Sequence, residues 1–202
     1  MLTFETSVAI QTYCIQHPKT GKSARDGLSA LLEFIVEDPD LDDSRWAAYM
    51  LATVRLECAG RWLPVEEFGK GKGRPYGVPV PVVDSDGTTF VNAYYGRGYV
   101  QLTWKANYQT MGQALGLANL LVLHPEHALE QQTAYKIMSL GMRQGRFTGK
   151  KLGDYINDTT CDYFNARRII NGVDQAATIQ GYAQEFESLL DNGVAAQAAS
   201  GH

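Results

Sequence analysis

The sequence of 202 residues predicts a mainly helical α+β domain that contains one small β-hairpin. Apolar residues recur about every 3.6 positions in five stretches, which is the period of a helix with one buried face. A single segment has the short apolar runs and the glycine-containing turn that are typical of a hairpin. The composition, with 45% hydrophobic and 20% charged residues, indicates one globular core and excludes a disordered or collagen-like chain.

The predicted helices are distributed over the whole chain. The five periodic stretches are Phe4–Ile15, Ala24–Val36, Trp46–Glu57, Tyr108–Leu115 and Ala128–Met142, and two further helices are expected at Cys161–Ile170 and Gln175–Leu190. Asp42-Asp43-Ser44 is a suitable N-terminal cap for the third helix. Pro125 suits the first turn of the fifth helix, and Asn171-Gly172 is a stop signal for the sixth.

The predicted hairpin consists of Val78–Val83 and Thr88–Val91, joined by the turn Asp84-Ser85-Asp86-Gly87. The chain shows no linker, repeat or low-complexity segment, and we assign residues 1–192 to a single domain. Residues 193–202 are mostly Ala, Gln, Ser and Gly, so we expect them to form a disordered tail.

Charge and cysteine content exclude several classes of protein. With 18 Lys and Arg against 22 Asp and Glu, the net charge of −4 provides no basic surface for nucleic acid. The three cysteines are scattered, which fits neither a disulfide framework nor a paired metal site. The first residues lack the pattern of a signal peptide, and no apolar run is long enough for membrane insertion. We therefore expect synthesis in the cytoplasm without a signal peptide.

Glu57 is an ionisable residue on the apolar face of a predicted helix. At 100° per residue from Trp46, Glu57 lies at about 20° and Met50 at about 40°. A carboxyl group in this position must be paired or protonated, and a protonated carboxyl is what general acid catalysis requires. The alternative is a structural role, in which Glu57 reaches solvent or pairs with Arg55 or Arg61.

A glycine-rich loop after this helix carries two more carboxylates and a basic run. Glu66 and Glu67 lie in RWLPVEEFGKGKGRPYG, where Pro64 and four glycines exclude a continuing helix. An inverting glycosidase needs two carboxyl groups about 6.5–9.5 Å apart with a water between them. Glu57 on a helix end and a glutamate on the following loop can face each other in this way across a cleft, although sequence spacing does not fix the distance. Exposed glutamates without a catalytic role are the alternative. The basic residues Lys70, Lys72 and Arg74 form a solvated face or attract an anionic polymer.

The segment NAYYGRGYVQLTWKANY, residues 92–108, has the composition of a sugar-binding surface. Aromatic rings cover the apolar face of a pyranose, while amide and hydroxyl groups form hydrogen bonds with its hydroxyls and acetamides. Packing of the same rings in the core is the alternative.

Three parts of this segment, Tyr94-Tyr95-Gly96-Arg97-Gly98, Gln101-Leu102-Thr103-Trp104 and Asn107-Tyr108, resemble the signature of family 19 glycoside hydrolases. That family includes chitinases and many phage endolysins. Glu57 at a helix end, the loop from Trp62 to Gly77 and the segment from Arg167 to Gly172 extend the resemblance to most of the chain. The resemblance implies a lysozyme-like fold with the hairpin beside a substrate cleft, and an inverting hydrolysis that needs neither a cofactor nor a metal.

The resemblance also implies roles for individual residues. Glu57 matches the proton donor, and Glu67 matches the carboxylate that activates water, with Glu66 as the reserve choice. Thr103 matches the hydroxyl that helps to hold this water. The expected substrate-binding residues are Glu66, Trp62, Tyr95, Arg97, Gln101, Trp104, Asn107, Tyr108, Arg168 and Asn171.

Two departures from the family pattern bear on the substrate. Chitinases of this family usually carry a histidine where Leu56 precedes Glu57, and their second carboxylate follows after a longer separation. The compact spacing is more similar to endolysins, so we expect cleavage of β-1,4 bonds in bacterial peptidoglycan, with chitin as the alternative. Such an enzyme is expected to be a monomer that reaches the periplasm and cell wall through a holin-type membrane lesion.

Three further hypotheses remain open from the sequence. Cys58 beside Glu57 suggests a cysteine amidase or peptidase, although it lies about 100° around the helix from Glu57. His124-Pro125-Glu126-His127 suggests a metal site, although such a segment is more often structural. A sugar-binding relative that has lost catalysis is the non-enzymatic alternative.

Overall fold

The computed structural model describes the backbone of residues 2–200 and the side chains of residues 2–193. Within this range, eight α-helices and three two-stranded sheets form two compact units. The first unit takes its residues from 1–63 and 142–202, and the second unit is 64–141. The mainly helical α+β class predicted from the sequence is confirmed. No helix in the described range combines the length and hydropathy needed to cross a membrane.

The elements follow one another along the chain in this order. The α-helices are α1 (Thr6–Gln16), α2 (Lys22–Glu37), α3 (Ser44–Glu57), α4 (Lys105–Ala114), α5 (Leu120–Leu123), α6 (Gln131–Gln144), α7 (Tyr163–Ala166) and α8 (Ala176–Ser200). The strands are β1 (Val65–Glu66), β2 (Val80–Val83), β3 (Thr89–Asn92), β4 (Arg97–Gly98), β5 (Ile156–Asn157) and β6 (Thr160–Cys161). Short 3-10 helices cover Pro75–Gly77, Pro125–Leu129, Leu152–Asp154 and Arg167–Ile169.

Helix α3 is the most deeply buried helix segment of the first unit, and it packs mainly against α8. Its residues 47–54 are all buried, so this part of the helix has no solvent-exposed face. Asp43 is the N-cap, as predicted, and its carboxylate accepts a hydrogen bond from the Arg45 amide at 2.9 Å. Glu57 therefore lies at the point where a fully buried helix reaches partial exposure.

Two strand pairs shape the second unit. The predicted hairpin is present as β2 and β3, which pair from Val80 with Asn92 to Val83 with Thr89. The short pair β1 and β4 brings Glu66 opposite Arg97. Gly98 in β4 has a φ of 89°, and a Cβ there would lie 2.9 Å from the Ala128 carbonyl oxygen, so this strand requires a glycine.

Several elements differ from the sequence-based prediction. The structure has three two-stranded sheets where one hairpin was predicted, because strands of two residues have no periodicity to recognise. The predicted helix Cys161–Ile170 is wrong: Cys161 is in β6, and the Asp162 carboxylate caps the short helix α7 through the Asn165 amide. Pro125 begins a 3-10 helix, and the long helix α6 begins six residues later.

The C-terminal helix extends beyond the predicted end of the domain. Helix α8 continues to Ser200 and so extends into residues 193–202, which the sequence predicts as a tail. Gly201 and His202 lie outside the described residues. The assignment of residues 1–192 to a single domain stays a prediction.

Candidate active site

Glu57 is the last residue of α3, and a buried arginine holds its carboxylate. Glu57 Oε1 accepts a hydrogen bond from Arg167 Nη1 at 2.7 Å; the arginine side chain is 4% exposed and the glutamate side chain 20%. Arg167 also donates from Nε to the Asp174 carbonyl at 3.1 Å. The charge on the predicted apolar stripe is therefore neutralised by an ion pair, and its partner is neither Arg55 nor Arg61.

The ion pair leaves one oxygen of Glu57 available. Within the described part of the chain, the hydrogen bond from Arg167 uses Oε1 and Glu57 has no other hydrogen-bond partner. Tyr49, one of the fully buried residues of α3, has its pKa raised by burial, although the nearby Arg167 charge acts in the opposite direction. Tyr49 therefore remains a neutral phenol. The Glu57 side chain, by contrast, is 20% exposed and has access to solvent.

Cys58 does not have the properties of a nucleophile. Its side chain is buried, and burial followed by the neighbouring Glu57 charge raises the pKa of the thiol to about 12. The thiolate is therefore scarcely populated at neutral pH. This environment argues against the cysteine amidase or peptidase hypothesis.

In the second unit, Glu67 is fixed through both carboxylate oxygens. Tyr76 donates its hydroxyl to Glu67 Oε1 at 2.9 Å, and the Gly96 amide donates to Oε2 at 2.9 Å. The Glu67 amide in turn donates to the Gly96 carbonyl at 2.7 Å. Because each carboxylate oxygen has two lone pairs, this arrangement orients Glu67 and leaves it able to accept a proton.

Glu66, one position earlier, lies in a more strongly charged environment. Its Oε1 accepts from the Tyr95 hydroxyl at 2.7 Å, and its Oε2 pairs with Lys70 Nζ at 2.9 Å. The hydrogen bond from Tyr95, followed by that from Lys70, lowers the pKa of Glu66. An ammonium partner weakens a base more than neutral donors do, so the contacts favour Glu67 over Glu66 as the proton acceptor.

Three residues of the aromatic segment form a buried network. The guanidinium carbon of Arg97 lies 3.6 Å from the centre of the Tyr95 ring, and Arg97 Nη1 donates to the Tyr108 hydroxyl at 3.0 Å. The Tyr108 hydroxyl then donates to the Tyr95 carbonyl at 2.8 Å. All three side chains are buried, so Arg97 and Tyr108 do not reach a substrate in this structure as was predicted. Tyr95 instead donates its hydroxyl to Glu66.

The chain after this network is more exposed. Gln101 donates from Nε2 to the Val65 carbonyl at 3.0 Å, which ties the segment to β1. The Thr103 hydroxyl donates to the Gln101 carbonyl at 2.8 Å, and exposed Asn107 donates from Nδ2 to the Thr103 carbonyl at 2.8 Å. Gln101 thus supports the segment, whereas Thr103 and Asn107 have at least partial access to solvent.

Trp104 combines exposure with an unusual backbone conformation. Its side chain is 48% exposed, and its ring meets Tyr76 edge to face with centroids 5.1 Å apart. Its φ of 75° is rare for a bulky residue and costs about 1–3 kcal/mol, a type of strain that is concentrated at functional sites. An exposed ring held in this way is suited to the apolar face of a sugar.

Of three other predicted binding residues, one is buried and two are exposed, and substrate binding by the two exposed residues stays a prediction. Trp62 is fully buried in the first unit, where its ring contacts Tyr13 and Phe186 edge to face, so it packs the core and cannot reach a substrate. Arg168 is exposed and donates to Asn165 at 3.4 Å. Asn171 is exposed and accepts from the Gly172 amide.

Two residues that hold the candidate carboxyl groups, one in each unit, were missed from the sequence. Arg167, and not its neighbour Arg168, contacts Glu57. The sequence singled out this pair of adjacent arginines but did not show which of the two is buried. Tyr76 in the glycine-rich loop orients Glu67, and neither spacing nor periodicity indicates this contact.

The histidines near residue 125 form local pairs. His127 Nδ1 lies 2.7 Å from Glu130, and His124 Nδ1 lies 3.3 Å from Glu126. Among the described residues, no three His, Cys, Asp or Glu side chains are grouped to hold a metal ion.

Comparison with known proteins identifies the fold. No protein-family model and no curated protein matches the chain. Chitinase C from Streptomyces griseus HUT6037 is similar over 93% of this chain and 94% of its own, with 24% identity and a TM-score of 0.56. A bacterial family 19 chitinase is similar over 91% and 94%, with 22% identity and a TM-score of 0.57. The chain therefore has the mainly α, lysozyme-like fold of family 19 chitinases.

Proposed function

We propose that this chain is a glycoside hydrolase that cleaves β-1,4 bonds between N-acetyl amino sugars, with Glu57 as the general acid. The observation that carries the proposal is the Glu57 carboxylate, anchored through Oε1 by buried Arg167 at the end of α3, in a chain with the fold of a chitinase. When it is protonated on its second, unengaged oxygen, a carboxyl fixed in this way can donate that proton to a leaving group.

In the proposed mechanism, Glu57 donates a proton to the glycosidic oxygen while Glu67 removes a proton from the attacking water. Water adds to the anomeric carbon as the glycosidic bond breaks, so the configuration inverts and both new ends carry a hydroxyl. Thr103 helps to hold the water. The fixed orientation of Glu67 by Tyr76 and Gly96 supports its role as the base.

We further propose peptidoglycan as the substrate, with chitin as the second candidate. Lys72 and Arg74 are exposed in the glycine-rich loop and form no ion pair within the described residues, whereas Lys70 is paired with Glu66. Free cations favour a polymer that carries peptide carboxylates. The names of the similar structures favour chitin, which has no such charges. Activity on peptidoglycan in the periplasm, after release from the cytoplasm, is part of this proposal.

A reducing-end assay on purified peptidoglycan and on N-acetylglucosamine oligomers tests the activity. We expect new reducing ends from peptidoglycan, a rate that falls as salt is raised from low ionic strength, and inverted product by proton NMR. Mass spectrometry of the fragments then identifies the sugar at the new reducing end. Binding of either polymer with no new reducing ends would show a sugar-binding protein without catalysis.

The choice of base is tested with a matched pair of variants. Glu67→Gln should lower the rate by about 100-fold or more, because general base catalysis contributes about 10²–10⁴-fold. Glu66→Gln should have a smaller effect, since the two carboxylate oxygens of Glu66 are bound to the Tyr95 hydroxyl and to Lys70. A larger loss from Glu66→Gln would reverse the assignment.

A further inference from the structure

A cavity lies within the first unit, on a side of α3 away from Glu57. It has a volume of about 780 Å³ and is formed by the end of α1, the start of α2, the end of α3 and Tyr182 of α8. Arg55 lines it and precedes Glu57 by two positions, so the two side chains leave the helix about 160° apart. The cavity is therefore separate from the proposed catalytic carboxyl.

The lining of this cavity carries positive charge and no carboxylate. Its cationic and titratable members are His17, Lys19 and Arg55, and no Asp or Glu is among its lining residues. This contrasts with the whole chain, which has a net charge of −4. Lys19 is exposed and forms no ion pair within the described residues. A concave surface lined by one sign of charge concentrates ligands of the opposite sign.

Arg55 is held in place while keeping donors free. Its guanidinium lies 3.9 Å from the centre of the Tyr182 ring and donates from Nη1 to Glu185 Oε2 at 2.8 Å. Among the described residues, Nε and Nη2 have no acceptor, and the side chain is 15% exposed. A guanidinium has five N–H donors in a planar fork that matches a carboxylate. This arginine is therefore preorganised to bind an anion.

Glu185 holds Arg55 and His17 in place and does not itself line the cavity. Its Oε1 is 2.5 Å from His17 Nε2, and His17 packs against Tyr13 with ring centroids 4.4 Å apart. Burial opposes ionisation of Glu185, but the hydrogen bonds from His17 and Arg55 hold its pKa below the usual value. Glu185 is thus satisfied by two partners, which leaves the remaining Arg55 donors and Lys19 to a ligand.

We infer that this cavity binds a carboxylate of the peptide stem of peptidoglycan. The inference rests on the proposed function and specifies its substrate: the cavity is of ligand size, its tyrosine rings and the Gln16 amide suit a peptide, and its charge suits a carboxylate. Chitin lacks this group. The cavity would therefore favour stem-bearing glycan over a neutral polymer, independently of the bond cleaved.

Binding of small probes tests this inference without turnover. The probes are the stem tripeptide L-alanyl-γ-D-glutamyl-diaminopimelate, N-acetylmuramic acid, and neutral di-N-acetylchitobiose, each titrated into the full chain by NMR. We expect the tripeptide to shift resonances of Tyr182 and Lys19. Shifts there from N-acetylmuramic acid but not from the tripeptide would overturn the assignment to the stem, because the bound carboxylate would then belong to the sugar. No binding, or equal shifts from chitobiose, would overturn the inference.

Variants with a matched control sharpen the test. Lys19→Gln should weaken tripeptide binding by about fivefold, as expected for one exposed charge, and Arg55→Lys by about tenfold through loss of the planar fork. Lys22→Gln removes the same charge from a residue that pairs with Asp26 and does not line the cavity, so binding should not change. An equal effect of Lys22→Gln and Lys19→Gln would overturn the inference.

Hydrolysis provides a readout that separates the two proposals. Lys19→Gln should lower kcat/KM on stem-bearing peptidoglycan and leave it unchanged on glycan from which an amidase has removed the stems. Tripeptide binding in a protein that releases no reducing ends would refute the proposed hydrolase and retain the binding site. Hydrolysis of both glycans at equal rates, with no tripeptide binding, would refute the binding site alone.

Discussion

The ion pair between Glu57 and Arg167 is the interaction whose removal should cost the most stability at the candidate site. Arg167→Met keeps a side chain of similar length but removes the charge, and leaves the Glu57 carboxylate and the Asp174 carbonyl without their donor. Breaking a buried ion pair costs about 3–5 kcal/mol. Because Glu57 is 20% exposed and partly hydrated, we reduce this expectation to about 2–4 kcal/mol.

Urea unfolding at pH 7 measures this cost, and a double-mutant cycle isolates the pair. The cycle consists of the wild type, Arg167→Met, Glu57→Gln and the double variant. We expect a coupling energy of about 1–3 kcal/mol between the two sites, since residues in direct contact are not additive. A coupling below about 0.5 kcal/mol would show that the 2.7 Å contact does not stabilise the folded chain, and it would contradict the role of Arg167 in holding Glu57.

Three further predictions concern neighbouring groups. Tyr76→Phe should lower kcat about tenfold with little change in KM, because Glu67 loses one of the two donors that orient it; an unchanged kcat would contradict the positioning role of Tyr76. Iodoacetamide at pH 8 should leave Cys58 unlabelled in the native protein, as its thiol pKa is about 12, and activity intact; labelling at Cys58 with loss of activity, by peptide mapping, would favour the cysteine hypothesis. Glu185→Gln should destabilise the chain at pH 7, and the difference should disappear as pH falls through the lowered folded pKa of Glu185, because that stability exists above the unfolded pKa; a difference that is constant from pH 7 to pH 3 would refute this linkage.

The fold was predictable to the extent that its elements are long. The helices α1, α2 and α3 and the hairpin β2–β3 have enough residues to show a period, and the sequence located them to within a few positions. The start of α8 was predicted to within one residue, but its end lies ten residues beyond the predicted Leu190. The pair β1–β4 has two residues in each strand, so it has no pattern of its own. Yet this pair is what brings Glu66 opposite Arg97, and its detection requires the tertiary structure.

The candidate site was predictable in its residue types more than in their roles. The position of Glu57 on the wheel indicated a carboxyl that needed a partner, but the partner is 110 positions away in the chain. The aromatic segment was recognised, but composition does not show which of its side chains are buried. Arg97 and Tyr108 are buried and hydrogen-bonded to each other beneath the exposed part of the segment. Trp104 is exposed and has a φ of 75°, and its contact with a sugar stays a prediction.

The most direct test of the account is the activity of Glu57→Gln on peptidoglycan and on neutral N-acetylglucosamine oligomers, measured as reducing ends per folded molecule. The control is Glu185→Gln, which also deprives an arginine of its carboxylate partner on the other side of α3. We predict that Glu57→Gln lowers the activity by about 100-fold or more. The control should keep most of its activity on the oligomers. A folded Glu57→Gln variant that hydrolyses these substrates at the wild-type rate would contradict the assignment of Glu57 as the acid.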